Sequence, residues 1–213
     1  MKRREFSWSV AGAALGLAAG PVLAQMKLQP GSDYQALDKP LATDAPAGKI
    51  EVVEFFWYNC PHCNAFEPGF DAWARRAPKD VVVRRLPGAF RDDWVPQQRL
   101  FFALEAMGQL DKLHAKVFHA IHSERVVLER DSQIADWVAK QGVDRAKFLE
   151  HYNALATTNK AARVRQLQDA FKVEGVPAIG IAGRFYIDAD YAKTMPRMLQ
   201  VADFLVGEVR AGR

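Results

Sequence analysis

The chain holds two cysteines, Cys60 and Cys63, with Pro61 and His62 between them. If a helix starts at the first, positions i and i+3 lie on one face about 5–6 Å apart, which suits disulfide geometry. Cys60 would then sit among the unpaired N–H groups at the positive end of the helix dipole, where a thiolate is favoured. Pro61 fits the first helical position, which needs no N–H donor. The imidazole of His62 stands beside the sulfur, and its cationic form would favour the anion further. Stabilising one thiolate stabilises the dithiol form, so the disulfide form becomes an oxidant. Cys63, one turn into the helix, is the less exposed. Cys60 is therefore expected to be the sulfur that attacks and is attacked, with Cys63 resolving the mixed disulfide.

Other readings of the pair are weaker. A structural bridge of this spacing closes too small a loop to constrain much of the unfolded chain. A zinc or iron site through Cys60, His62 and Cys63 lacks the second ligand pair that a closed site needs. A CxxC that follows a strand and opens a helix reads as a thioredoxin-like redox motif.

The elements that must position the pair are legible around it. Residues 49–57 are rich in β-branched and aromatic side chains and predict a strand. Its alternation places Ile50, Val52, Glu54 and Phe56 on one face, so Glu54 is a carboxylate among apolar neighbours, six residues before Cys60. Burial should raise its pKa, and such a group could relay the proton that moves when a sulfur changes state. The alternative is an edge-strand glutamate reaching solvent, as expected of Glu51 on the opposite face. Residues 61–76 predict a helix with Phe66, Phe70 and Trp73 inward and a kink at Pro68. Residues 81–86 predict a second strand, parallel to the first.

Residues 93–172 then read as almost entirely helical, in five segments. Asp93 is expected to cap the first and Asp144 the fourth. His119 and His122 share a face of the second, but with no carboxylate at suitable spacing no metal is expected there. Gly175-Val176-Pro177-Ala178 leads into a hairpin, residues 179–182 and 185–188 around Gly183-Arg184, and Pro177 stands where a cis bond would be a deliberate feature. Residues 194–209 predict a closing amphipathic helix, and residues 34–37 a short edge strand.

With 213 residues, 49% hydrophobic and 25% charged, the chain is ordinary for one globular domain with an insertion. Half of its net +4 falls on Lys2, Arg3, Arg4 and Glu5, leaving too little charge to argue for nucleic acid. Those basic residues, a short apolar stretch and Val22-Leu23-Ala24 make residues 1–24 an export signal with a mature start at Gln25. Arg3-Arg4 is compatible with a twin-arginine route, with general secretion the favoured reading. Either delivers the chain to an oxidising compartment, expected to be the periplasm.

Glu54-Phe55-Phe56, Cys60-Pro61-His62-Cys63, the helical block after the second strand and Gly175-Val176-Pro177-Ala178 together resemble the DsbA family, periplasmic thiol:disulfide oxidoreductases of thioredoxin-like fold. The Cys-Pro-His-Cys quartet is quite specific to its oxidising members. The resemblance implies an α/β thioredoxin-like fold in residues 25–91 and 173–213 with an inserted helical domain in residues 92–172. It implies that Cys60 is the nucleophile, Cys63 its resolving partner, Pro61 and His62 the dipeptide that sets the potential, and Glu54 the buried acid. Val176 and a cis Pro177 would face the disulfide and bind extended substrate backbone. A low cysteine pKa and an oxidising disulfide are known properties of that family. The implied partners are newly exported proteins with free cysteines and a DsbB-type membrane reoxidant. No cofactor beyond the cysteines and a monomeric state are expected. The rival functions are a disulfide isomerase or reductase of the same fold, and a non-catalytic peptide-binding or chaperone-like module.

Overall fold

The computed structural model describes residues 28–213. The expected export segment and mature start lie outside the described residues.

A five-stranded sheet in the order β1-β5-β4-β2-β3 organises the molecule. The strands are β1 (Gln35–Ala36), β2 (Ile50–Phe56), β3 (Val81–Pro87), β4 (Ala178–Ile181) and β5 (Phe185–Asp188). β3 runs parallel to β2, connected through helix α1 (Pro61–Arg76). β4 is antiparallel to β2 and β5 to β4. β2 is buried along its whole length, as its near-continuous apolar sequence requires of a central strand.

Between β3 and β4 the chain makes a 3-10 turn (Asp92–Trp94) and five helices: α2 (Val95–Ala106), α3 (Leu110–His122), α4 (Asp131–Lys140), α5 (Arg145–Asn153) and α6 (Leu155–Phe171). A single turn α7 (Ala189–Ala192) and α8 (Met195–Arg210) close the chain. Asp144 caps α5 by accepting the Lys147 N–H, as expected. Asp93 does not cap α2: Arg91 draws its carboxylate away at 2.6 Å, and the 3-10 turn makes the entry instead. α1 is unbroken across Pro68.

Two apolar clusters flank the sheet. Ile50, Val52, Ile179 and Ile181 pack with Phe66, Phe70 and Trp73 of α1 and with Met198, Val201 and Leu205 of α8. Val53 and Phe55 pack on the other side with residues of the five-helix block, among them Val164, Leu167 and Phe171. Alternation held along β2 until its last residue. Phe56 leaves the Ile50–Val52 cluster and joins the helical block, edge-on to Phe101 and His114. Glu51 also departs from expectation. It is buried rather than solvated, because Arg84 on β3 reaches its Oε1 at 2.8 Å and the Asp44 N–H donates to the same oxygen.

The β4–β5 hairpin turns at Ala182-Gly183-Arg184, with Ala182 and Gly183 both left-handed, so Ala182 belongs to the turn rather than to the strand. A Cβ on Gly183 would lie 2.2 Å from the Leu41 carbonyl oxygen, so the turn and the covering segment demand glycine together. No helix of the described residues is long and apolar enough to cross a membrane.

The seam between sheet and helical block is tightest at Gly180, where a Cβ would stand 2.5 Å from Phe171 and 2.7 Å from Val53. Gly180→Ala is expected to cost about 1–3 kcal/mol through overpacking, read as a lower denaturation midpoint with an unchanged m-value. An unchanged midpoint would mean that the seam yields freely.

Candidate active site

The redox pair sits where β2 ends and α1 begins. Cys60 is the N-cap of α1, in extended conformation, with Pro61 at the first helical position. Its Sγ accepts the Cys63 N–H at 3.4 Å and lies 3.4 Å from the Val176 carbonyl, to which the thiol donates. Both cysteines are free thiols, Cys60 being 8% and Cys63 0% exposed. That difference decides which sulfur another molecule can approach.

The same environment separates their acidities. The Cys63 thiol donates to the Cys60 sulfur, the Cys63 and His62 N–H groups point at it, and the charge of His62 adds to them. Against partial burial these lower the Cys60 pKa from 9.0 to about 6. Burial pushes the Cys63 thiol far up, and the Cys60 sulfur it serves pushes it further. Sequence reasoning put the helix terminus and His62 first. The structure puts the partner thiol first and the imidazole last.

Val176–Pro177 is a cis peptide bond, and its residues face the pair across the start of β4. Beside them opens a cavity of about 340 Å³ lined by His62, Val176 and Pro177 with Glu174, Asp188 and Asp190. A larger cavity of about 560 Å³ lies between β3 and the helical block, away from both sulfurs.

Glu54 is 1% exposed, which excludes the solvated alternative. Its register partner on β3 is Arg85, whose Nε stands 3.5 Å from Glu54 Oε2, so the cation that the strands bring beside this acid is now identified. Neither oxygen of Glu54 has a hydrogen bond. Burial first, then the negative charge of Glu67, raise its pKa well above the usual carboxylate value, while Arg85 opposes them. The guanidinium is shared, because Arg85 also binds Glu67 at 2.8 Å and Asp71 at 3.3 Å.

Several residues of this neighbourhood carried no expectation from the sequence. Glu67 lies one helical turn beyond Cys63 on the inner face of α1, and that i,i+4 spacing was its available signal. The Tyr58 hydroxyl and His114 Nδ1 are 2.8 Å apart, and His114 Nε2 is 3.4 Å from Glu67 Oε2. Burial pushes the Tyr58 phenol well above its ordinary pKa. His122 Nε2 donates to the Tyr58 carbonyl at 2.8 Å. These α3 histidines are thus contacts of the motif. His114 is buried outright. Among the described residues no three His, Cys, Asp or Glu side chains come together to hold a metal ion.

A CxxC at the N-terminus of a helix, faced by a cis proline across the sheet, defines the class of thioredoxin-like thiol:disulfide oxidoreductases. Comparison with known proteins narrows the class. A family model described as a DSBA-like thioredoxin domain matches residues 85–200. The chain is 38% identical over 198 residues to a Burkholderia cepacia protein named thiol:disulfide interchange protein DsbA, covering 92% of this chain and 93% of that one. The crystal structure of Pseudomonas aeruginosa DsbA superposes with a TM-score of 0.81 at 40% identity, over 85% of this chain and 94% of that one. Oxidoreductase DsbA from Xylella fastidiosa gives 0.80 at 30% identity, over 86% and 98%. The chain belongs to the DsbA family.

The raised pKa of Glu54 has a stability consequence. A group whose folded pKa lies above its unfolded value contributes stability below the unfolded pKa and loses it as pH rises through the folded one. Glu54→Gln is therefore expected to match the native protein near pH 4 and to exceed its stability increasingly toward pH 8, measured by denaturant unfolding of both across that range. A variant that instead weakens as pH rises would mean that Arg85 holds Glu54 ionised.

Proposed function

We propose that this chain is a thiol:disulfide oxidase that donates a Cys60–Cys63 disulfide to newly exported proteins during oxidative folding. The observation that carries the reading is the asymmetry of the pair: one sulfur poised as an anion at the helix start, the other buried and held as a thiol. A substrate thiolate attacks the Cys60 sulfur of the disulfide form, and Cys63 leaves. Its high proton affinity demands a proton, and Glu54, itself held protonated by burial, is the group that supplies it. A second substrate thiolate then attacks the substrate sulfur of the mixed disulfide, and Cys60 departs as the stabilised thiolate. The substrate loses two electrons and two protons, and the enzyme holds both electrons in its dithiol.

In this reading Pro61 and His62 set the potential. The Val176 carbonyl, 3.4 Å from Cys60 Sγ, and the backbone before Pro177 receive an extended substrate segment. The electrons pass on to a DsbB-type membrane reoxidant, and the protein works as a monomer in the periplasm, reached by general secretion or the twin-arginine route. Residues 25–91 and 173–213 form the thioredoxin-like domain and residues 92–172 an inserted helical domain. The names of its relatives support disulfide interchange as the chemistry. A reductase would need a dithiol that gives up its electrons readily, which a thiolate stabilised at a pKa of about 6 disfavours.

Alkylation of Cys60 across pH is expected to show a midpoint near 6, and redox titration against glutathione a potential far above thioredoxin's, which is about −270 mV. Cys60→Ser abolishes exchange, and Cys63→Ser accumulates mixed disulfides. A depressed thiol pKa contributes stability above the unfolded value and loses it as pH falls through the folded one. The dithiol form should therefore gain stability relative to the disulfide form as pH rises from 5 to 8. A midpoint near that of free cysteine, or a thioredoxin-like potential, would overturn the reading.

A further inference from the structure

The turn that delivers Cys60 to its helix is held almost wholly from outside its own strand and helix. The Cys60 N–H donates to the Trp57 carbonyl at 3.1 Å, closing a turn whose central residues are Tyr58 and Asn59. The first three residues of that turn are fastened by the chain between β3 and β4. Trp57 stacks on Trp94 of the 3-10 turn, with ring centroids 3.6 Å apart and planes within 5°. The Tyr58 hydroxyl meets His114 Nδ1, and the Tyr58 carbonyl accepts the His122 Nε2–H, both at 2.8 Å. Asn59 Oδ1 accepts from Gln97 Nε2 at 2.7 Å, and Gln97 is anchored in turn on the Leu128 carbonyl at 3.0 Å. The partners come from the 3-10 turn, α2 and α3, and Glu129 before α4 accepts from Asn59 Nδ2 at 3.4 Å.

We propose that this grip tunes the redox pair, with His122 as a positioning residue that acts on Cys60 through the Tyr58 carbonyl. The inference rests on the reading of Cys60 as the reactive sulfur. The physical link is short. The thiolate is stabilised while Sγ lies against the Cys63 thiol and the Cys63 and His62 N–H groups, and that pose follows from the extended N-cap conformation of Cys60. The conformation is set on one side by the helix and on the other by the turn. Hydrogen bonds to sulfur weaken quickly with misdirection. A turn that slackens therefore costs the anion more than it costs the neutral thiol. His122 is the member best suited to a test: its ring is half-buried at the block's edge, stacked only on Phe118, and its hydrogen bond to a carbonyl is made by an N–H that an amide side chain can also supply.

The experiment follows the pH dependence of Cys60 alkylation and the glutathione redox equilibrium in the full-length protein, with thermal unfolding measured alongside. His122→Ala is expected to raise the alkylation midpoint by about half a pH unit and to move the exchange equilibrium about threefold toward the disulfide, since the two measure one thiolate stabilisation. His122→Gln, which keeps a donor, restores both. A His122→Ala protein that loses thermal stability while its midpoint and equilibrium stay unchanged overturns the proposal, because the contact is then structural alone. Should His122→Ala fail to fold, Asn59→Ala releases the Gln97 contact and is read the same way: an upward shift supports the grip and an unmoved midpoint overturns it. The native protein is titrated first. A native midpoint near that of free cysteine sinks the oxidase reading itself, whereas a native midpoint near 6 with unmoved variants sinks only the grip.

Discussion

The site depends on holding two neighbouring sulfurs at opposite acidities, Cys60 lowered toward its anion and Cys63 raised toward its thiol. Cys60 and Cys63 are chemically identical and stand one helical turn apart, yet their environments drive them in opposite directions. The N-cap position gives Cys60 several amide donors, whereas at the next turn of the same helix burial and the partner sulfur outweigh the one backbone donor, from Trp57, that Cys63 has. Each shift reinforces the other. The buried thiol has nowhere better to donate than the neighbouring sulfur, and an anion there is the best acceptor it can find. A disulfide between the two is disfavoured because the dithiol state is good in both halves at once.

A second buried arrangement of charge joins β2, α1 and β3 close to the pair. Glu54, Glu67 and Arg85 form a buried charged cluster, with the guanidinium divided among three carboxylates. Buried ion clusters are poor stabilisers, since the desolvation of each member rivals the attraction between them. Here the shortfall falls on Glu54, which lacks any hydrogen bond and faces the charge of Glu67. A carboxyl group left in that position prefers its neutral form, which is the form able to give a proton to a departing thiolate. Arg85 opposes that preference with its positive charge.

Much of this was legible in the chain itself, for identifiable reasons. β2, α1 and β3 carry strong periodic signals and capping residues, and α1 appears with the expected bounds. Cys60, Cys63, Glu54 and the residues around Pro177 announce themselves by residue type, because a cysteine pair, an acid on an apolar face and a proline at a strand start each need explaining. What stayed hidden was pairing across distance. The burial of Glu51 follows from Arg84, thirty-three positions on, and Asp93 loses its capping role to an arginine two residues back. The contacts of His114 and His122 with Tyr58 stayed hidden because nothing in α3 shows that the end of β2 lies against it. Phe56 left its expected face for the same reason. These are facts about register and docking, which local periodicity does not carry.

The helical block then has a physical role beyond adding core. A turn of four residues between a buried strand and a helix has few internal hydrogen bonds, and here only the one from Cys60 to Trp57 closes it. Left to itself such a segment would sample many poses, and a thiolate averaged over those poses would be stabilised weakly. Stacking Trp57 on Trp94, fixing both ends of Tyr58, and holding Asn59 from α2 removes that freedom with contacts made by residues far away in sequence. The ordering entropy is met when the block docks on the sheet through Phe55, Phe56 and Phe171, not when the sulfur reacts. A site built in this way is organised before its substrate arrives: the groups that lower the Cys60 pKa lie within the four-residue motif, and the assembled fold fixes the turn that leads into it.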